Sequence, residues 1–178
     1  MDYKTKAISR DTIRTIAYII RTQIFKCKNK FYFDVIEAFE QLPHLFDNVT
    51  TEIVFDDDPD LNDAPGTIIP DMKGNYHIKI KQSVYDGAYH DKTGGYRNHI
   101  MHEISHYILF ELGYLPQFNR VYKNNELKCY ESVEWQAKAL AGEILIPYET
   151  TIGMSERNII KKCKVSEEAA RKRISLDK

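Results

Sequence analysis

The spacing of apolar residues predicts helices in the first quarter of the chain. In residues 11–25 apolar side chains recur at every third or fourth position, which is the pattern of an amphipathic helix. Ser9 or Asp11 is the expected N-cap of this helix. A second helical stripe runs through residues 33–42 and is expected to end at Pro43, because proline lacks the N–H that the next helical turn needs.

Two longer helices are predicted in the second half of the chain. In residues 96–112 Ile100, Ile104 and Ile108 form an apolar ridge, and Gly113 is the expected stop. Residues 131–146 are rich in alanine and leucine and end before a proline. Each segment has the length of an ordinary helix in a globular protein.

Short β-like segments lie between these helices, at residues 52–55, 66–70 and 75–82. In Tyr76–Lys81 polar and apolar residues alternate, so Lys79 and Lys81 are expected to face water on an exposed or edge strand. An edge strand can bind an extended peptide through its main chain, which gives a hypothesis for substrate binding. Residues 86–95 and 119–128 lack periodicity and are predicted to be irregular connections.

The composition is that of an ordinary globular protein. The chain has 178 residues, 43% of them hydrophobic and 29% charged, and a formal net charge of −1. The net charge argues against a molecule that binds polyanions with its whole surface. The order of predicted helices and short strands indicates an α+β fold with a small, mostly antiparallel sheet. The three cysteines match no zinc-ligand spacing and are expected to be free thiols in a reducing compartment. The apolar patch at residues 16–20 is too short for a secretory or membrane segment, so we expect a cytoplasmic protein without membrane contact.

Candidate chemistry is concentrated in the segment His102-Glu103-Ile104-Ser105-His106, which fits the HExxH pattern of zinc hydrolases. Side chains four apart lie on the same face of a helix, so His102 and His106 can bind one metal ion. Glu103 lies one step round the helix, where its carboxylate can reach a water on that metal. A polar patch on an amphipathic helix is the alternative interpretation of the histidine pair.

A catalytic zinc ion usually takes three protein ligands, so a third donor is needed. The predicted helix 131–146 offers Glu134, with Ala137 and Ala141 close to its face, where small side chains would let this helix approach the histidines. Glu131 and Glu143 are the competing donors, and the spacing favours Glu134 over both.

The HEISH segment together with Glu134-x-x-Ala-x-x-x-Ala-x-x-Ile-Leu-Ile-Pro resembles the ImmA/IrrE family of metallopeptidases. The resemblance implies a zincin-like fold in which two histidines and a glutamate bind one zinc ion. It implies that His102, His106 and Glu134 are those ligands and that Glu103 is the catalytic base. Lys138 stands where relatives usually have asparagine.

The C-terminal residues carry a second candidate function. Residues 159–174 are typical of a helix, a turn and a second helix that Ser166 caps, and this tail is basic. We therefore divide the chain into a peptidase domain at residues 1–150 and a helix-turn-helix-like tail at residues 151–178. A basic helix-turn-helix can contact DNA, here through Arg171 and Arg173.

The sequence as a whole favours a zinc-dependent endopeptidase. The family resemblance implies a cytoplasmic protein substrate, such as a repressor of a phage or mobile element. The alternative is a DNA-binding transcriptional or stress regulator whose metal site is structural or vestigial.

Overall fold

Helices make up most of the fold. The computed structural model describes residues 2–90, 94–123 and 126–176, with the backbone alone at residues 119 and 120. None of the described helices combines the length and the apolar character that a bilayer span requires. Within the described residues the α-helices are α1 (Arg10–Ile19), α2 (Val35–Leu45), α3 (Gln82–Tyr89), α4 (Gly94–Glu111), α5 (Val133–Leu145), α6 (Tyr148–Thr151), α7 (Glu156–Cys163) and α8 (Glu167–Ser175).

The described strands form two small sheets. The strands are β1 (Asp2–Lys4), β2 (Val49–Val54), β3 (Gly66–Pro70), β4 (Tyr76–Lys81) and β5 (Gln117–Tyr122). The larger sheet has the order β2-β4-β3, and β1 pairs with β5 in a separate ribbon. In the larger sheet β4 is parallel to β2 and antiparallel to β3, so this sheet is mixed and not mostly antiparallel as predicted. The fold class is α+β, as expected.

The prediction that β4 is an edge strand is wrong. Both edges of β4 are hydrogen-bonded to neighbouring strands, so no peptide can add to it. The alternation does separate the two faces of the strand, because Ile78 and Ile80 are buried whereas Lys79 lies among the carboxylates of Asp58 and Asp60. Period-two alternation reports which face of a strand meets the core and does not report whether its edges are paired.

Two segments that were predicted to be irregular are ordered elements. Of the predicted loop 86–95, residues 86–89 belong to α3, in which the Gln82 amide donates to Asp86 one turn later, and residues 91–93 lie outside the described residues. Residues 117–122 form β5, which pairs with β1 at the start of the chain. β1 was not predicted at all, because three residues are too few to show a period. Residues 124 and 125 of the second predicted connection lie outside the described part.

The ends of the first two helices differ from the predictions in detail. Ser9 is the N-cap of α1 and accepts from the Thr12 N–H, but the predicted single helix changes to a π-helical segment, Ile20–Ile24. Pro43 lies within α2, which continues to Leu45, so the expected stop came too early. Proline removes one donor, and so close to a helix end the chain can complete the last turn without it.

The active-site candidate helix α4 is at the centre of the molecule. It packs against α2, α3, α5 and the β3–β4 part of the sheet. Its predicted ridge of Ile100, Ile104 and Ile108 is buried in the main hydrophobic cluster. Gly113 follows α4 with a positive φ of 83°, the conformation of a helix C-cap that glycine adopts without strain.

The C-terminal helices belong to the same hydrophobic core as α4. Ser166 caps α8 by accepting from Ala169 N–H, as predicted, and Ile159, Val165 and Ala170 are buried in the main cluster. At the start of α4 a Cβ on Gly94 would lie 2.4 Å from Ser166 N, so the two backbones are in direct contact. The division of the chain at residue 150 stays a prediction.

Arg97 of α4 ties these helices together. Its side chain is fully buried and donates to the carbonyl oxygens of Cys163 (2.9 Å), Lys164 and Phe33 (2.6 Å). Its guanidinium carbon lies 4.5 Å from the centroid of the Tyr32 ring. One side chain therefore joins the helix of the HExxH segment to the end of α7 and to the segment before α2.

Candidate metal centre

The two histidines of the HExxH segment face each other on α4. The Nε2 atoms of His102 and His106 lie 3.1 Å apart, and their ring centroids are 4.5 Å apart. The side chains are 15% and 6% exposed, so both nitrogens lie just beneath the surface. Two unprotonated nitrogens at this distance repel each other unless a proton or a cation lies between them.

Glu134 is carried to this pair by the first turn of α5. Ser132 caps α5 by accepting from the Trp135 N–H. Ser132 also donates to the carboxylate of Asp2 in β1, and the Glu134 N–H lies 3.3 Å from the same carboxylate. Ala137 and Ala141 are fully buried, so the helix that carries Glu134 presents small side chains to the core. The start of α5 is thus held by a cap and by the N-terminal strand.

The three donor groups form a nearly equilateral triangle. Glu134 Oε2 lies 3.4 Å from His102 Nε2, and Glu134 Oε1 lies 3.3 Å from His106 Nε2. Ligand atoms at about 2.05 Å in a tetrahedral zinc site are separated by about 3.3 Å. The side chains of His102, His106 and Glu134 therefore fit the dimensions of one small divalent cation, and they form the group of possible metal ligands in the described part of the chain.

The competing carboxylates are engaged elsewhere. Glu131 forms an ion pair with Lys4, with Nζ 3.1 Å from Oε1. Glu143 is buried two turns further along α5, where its Oε1 lies 3.6 Å from Arg10 and 3.5 Å from Arg14. The structure thus brings Glu134, and neither of the alternatives, to the two histidines.

The charges of the triangle favour a cation. Hydrogen bonds from His102 and His106 hold the pKa of Glu134 far below its usual range. The Nζ of Lys138, one turn later on α5, lies 3.6 Å from Glu134 Oε2. An ionised carboxylate with two imidazole nitrogens is a common donor set for catalytic zinc.

Glu103 lies beside the triangle but outside it. Its side chain is 7% exposed, and burial raises its pKa to about 7. The charge of His102 opposes this shift and that of Glu134 adds to it. A carboxyl group that can gain or lose a proton near neutral pH suits general acid–base chemistry.

The outer strand β3 passes directly over Glu103. A Cβ on Gly66 would lie 2.5 Å from Ile80 Cδ1, 3.0 Å from Lys79 O and 3.2 Å from Glu103 Cγ. A side chain at this position would require Ile80 to shift and would press on Lys79 O and Glu103, so glycine fits here without rearrangement, and sequence reasoning did not single it out. A glycine that begins a β-like segment was the available signal, since glycine in a strand often marks a close approach.

The other histidines and the cysteines are not among the possible metal ligands within the described ranges. His99 is exposed on the first part of α4, and His77 shares a hydrogen bond of 2.7 Å with Thr50. All three cysteines are free: Cys27 is half-buried, Cys129 is exposed and Cys163 is buried. None of these residues belongs to the triangle.

Comparison with known families agrees with this centre. Residues 88–175 match the Peptidase_M78 model, described as the IrrE N-terminal-like domain. This segment belongs to the Peptidase_M78 family. The match confirms the resemblance to the ImmA/IrrE metallopeptidases and includes α4, α5 and the C-terminal helices. No curated protein and no solved structure matches the chain significantly.

The Peptidase_M78 segment includes the basic tail that was considered for DNA contact. Arg171 forms ion pairs with Glu156 (3.0 Å) and Glu167 (2.9 Å) on α7 and α8. Arg173 is 3% exposed and donates to the Thr151 hydroxyl at 3.3 Å. Both side chains thus make contacts within the protein, and DNA contact by the tail stays a prediction.

Proposed function

We propose that this protein is a zinc-dependent endopeptidase with a zincin-like arrangement, acting on a cytoplasmic protein. The observation that carries the proposal is the triangle of His102, His106 and Glu134 with a buried, proton-accepting Glu103 beside it. A metal site that served only to stabilise the fold would not need a fourth, uncoordinated carboxyl group at its side.

Three of these residues would bind the metal ion, and the fourth would transfer a proton. His102 and His106 would hold zinc through Nε2, and Glu134 would hold it through its carboxylate. Bound zinc supplies Lewis acidity to water and to a peptide carbonyl. Glu103 accepts the proton of the attacking water and passes it to the leaving amine, and its burial keeps competing solvent away from this carboxyl group.

The proposed substrate is a regulatory protein, such as a repressor of a phage or mobile element, as the family resemblance implies. The free thiols favour a reducing compartment, which supports the cytoplasm. A regulatory protease cleaves few proteins, whereas a digestive one cleaves many.

Cleavage can be measured in a cytoplasmic extract of cells that encode this protein. The extract is incubated with zinc-loaded protein, with chelator-treated protein, and with chelated protein to which zinc is returned. New amino termini are then labelled and identified by mass spectrometry. We expect new termini in a small number of proteins, lost on chelation and regained with zinc. The absence of any zinc-dependent terminus would refute the proposal, and cleavage of many proteins would refute the regulatory role.

A further inference from the structure

A cleft of about 500 Å³ begins one helical turn from the metal triangle and lies between α4, α5 and α8. Its near end includes His99, three residues before His102, and Lys138, four residues after Glu134. Further along, Gly95 of α4 and Gly142 of α5 both line it. The cleft therefore runs towards the N-terminus of α4 and towards the C-terminus of α5, and both of these directions lead away from the metal centre.

The middle of this cleft is kept open by two glycines. A Cβ built on Gly95 or on Gly142 meets no atom within 4 Å, in contrast to the close contacts at Gly66 and Gly94. A larger side chain at either position would project into the cleft. Gly142 is in the interior of α5, where glycine is less favourable than alanine for helix formation. Packing against neighbours therefore does not explain this glycine.

The charge of the cleft is positive, although the net charge of the chain is −1. Four cationic side chains and two carboxylates line it: Arg10, Lys138, Lys172 and Arg173, with Glu143 and Glu168. Glu143 is already paired with Arg10 and with Arg14. Lys138, at the near end, is 59% exposed. It also lies 3.6 Å from Glu134, whereas Arg10 is paired with Glu143 and Arg173 is buried. The cationic side chains that an acidic ligand from the metal centre would meet are therefore Lys138 and the exposed Lys172.

Distances along the cleft match the spacing of residues in an extended peptide. Lys138 and Gly142 are four and eight residues beyond Glu134, which corresponds to about 6 Å and 12 Å along a helix. An extended peptide advances about 3.3 Å per residue. Side chains two to four residues from the bond at the metal would therefore lie over the cleft.

We propose that this basic cleft is the subsite that binds acidic side chains of the substrate, two to four residues from the cleaved bond. Carboxylates match the charge of Lys138 and Lys172, and their size fits a cleft whose floor has two glycines. The proposal deepens the proposed peptidase function and rests on it for the position of the cleaved bond. Binding of an acidic peptide, however, can be measured without cleavage.

The single tryptophan of the chain reports on the cleft directly. Trp135 lines it, and the guanidinium carbon of Arg10 lies 4.9 Å from the centre of its ring. Fluorescence of zinc-loaded Glu103→Gln protein is therefore titrated with three peptides at 150 mM salt. The peptides are acetylated and amidated tetramers of glutamate, glutamine and lysine. A short single-stranded oligonucleotide is titrated in parallel.

Charge variants separate the cleft from the overall charge. Lys138→Gln with Lys172→Glu alters the cleft, and Lys73→Gln with Lys161→Glu makes the same charge change at exposed positions outside it. We expect the glutamate peptide to bind at least tenfold more tightly than the glutamine peptide. The cleft variant should lose this preference, and the outside variant should keep it within a factor of two.

Three results would overturn the proposal. These are equal affinity for the glutamate and glutamine peptides, an equal loss in both double variants, and tighter binding of the oligonucleotide than of the glutamate peptide. The last would assign the cleft to nucleic acid. A protein that binds the glutamate peptide as expected but cleaves nothing would refute the peptidase function. The basic cleft would still be confirmed as a site that binds acidic peptides.

Discussion

Glu103→Gln is expected to lower kcat/KM about 10²- to 10⁴-fold while the metal stays bound, because general acid–base catalysis contributes this much. Glutamine has nearly the shape of a protonated glutamate, and burial already favours the neutral carboxyl group, whose pKa is raised to about 7. The substitution should therefore leave the stability of the protein nearly unchanged. Cleavage is measured on a protein identified in the extract experiment, and zinc by elemental analysis.

A matched control for this substitution is Glu131→Gln. Its carboxylate is partly exposed and paired with Lys4, away from the metal triangle. We expect this variant to retain activity within about twofold, since exposed ion pairs contribute little. Full activity in Glu103→Gln would remove the proton-transfer role of Glu103, and loss of its zinc would assign Glu103 to metal binding instead.

Arg97→Leu is expected to lower the free energy of unfolding by about 3–5 kcal/mol, because several buried carbonyl oxygens lose their hydrogen-bond donor. Three carbonyl oxygens, of Cys163, Lys164 and Phe33, would lose their buried donor. Each unsatisfied group costs about 1–3 kcal/mol, and removal of the buried charge offsets part of this loss. Urea unfolding followed by circular dichroism measures the change.

The control for Arg97→Leu is Arg157→Leu, which makes the same chemical change at an exposed position on α7. This variant should change the free energy of unfolding by less than about 0.5 kcal/mol. If Arg97→Leu were equally mild, the C-terminal helices would not depend on this anchor. They could then be a separate tail, as the predicted division at residue 150 has it.

Much of the candidate centre could be predicted because its residues are close in sequence or follow a helical period. His102, Glu103 and His106 are on one helix, so their relative positions follow from 3.6 residues per turn. Helical spacing alone does not decide among Glu131, Glu134 and Glu143, because all three are on or near a single helix. What decides it is the packing of α5 on α4, together with the ion pairs that Lys4, Arg10 and Arg14 form with the other two carboxylates.

The parts that could not be predicted depend on contacts between distant segments. β1 has three residues, too few to show a period, and its pairing with β5 joins segments more than a hundred residues apart, which a local pattern does not reveal. The contact between Asp2 and the start of α5 also joins distant segments, so the sequence does not reveal it. The central place of β4 is likewise a property of its neighbours β2 and β3 and not of its alternating residues.

We propose above all that His102, His106 and Glu134 together hold one divalent metal ion. Elemental analysis of the purified wild-type protein beside Glu134→Ala and Glu131→Ala tests it most directly. We expect about one zinc ion per chain in the wild type and in Glu131→Ala, and little zinc in Glu134→Ala, because a three-ligand site loses most of its affinity with one ligand. A wild-type protein without a divalent metal, or a Glu134→Ala variant that keeps its metal while Glu131→Ala loses it, would contradict the claim.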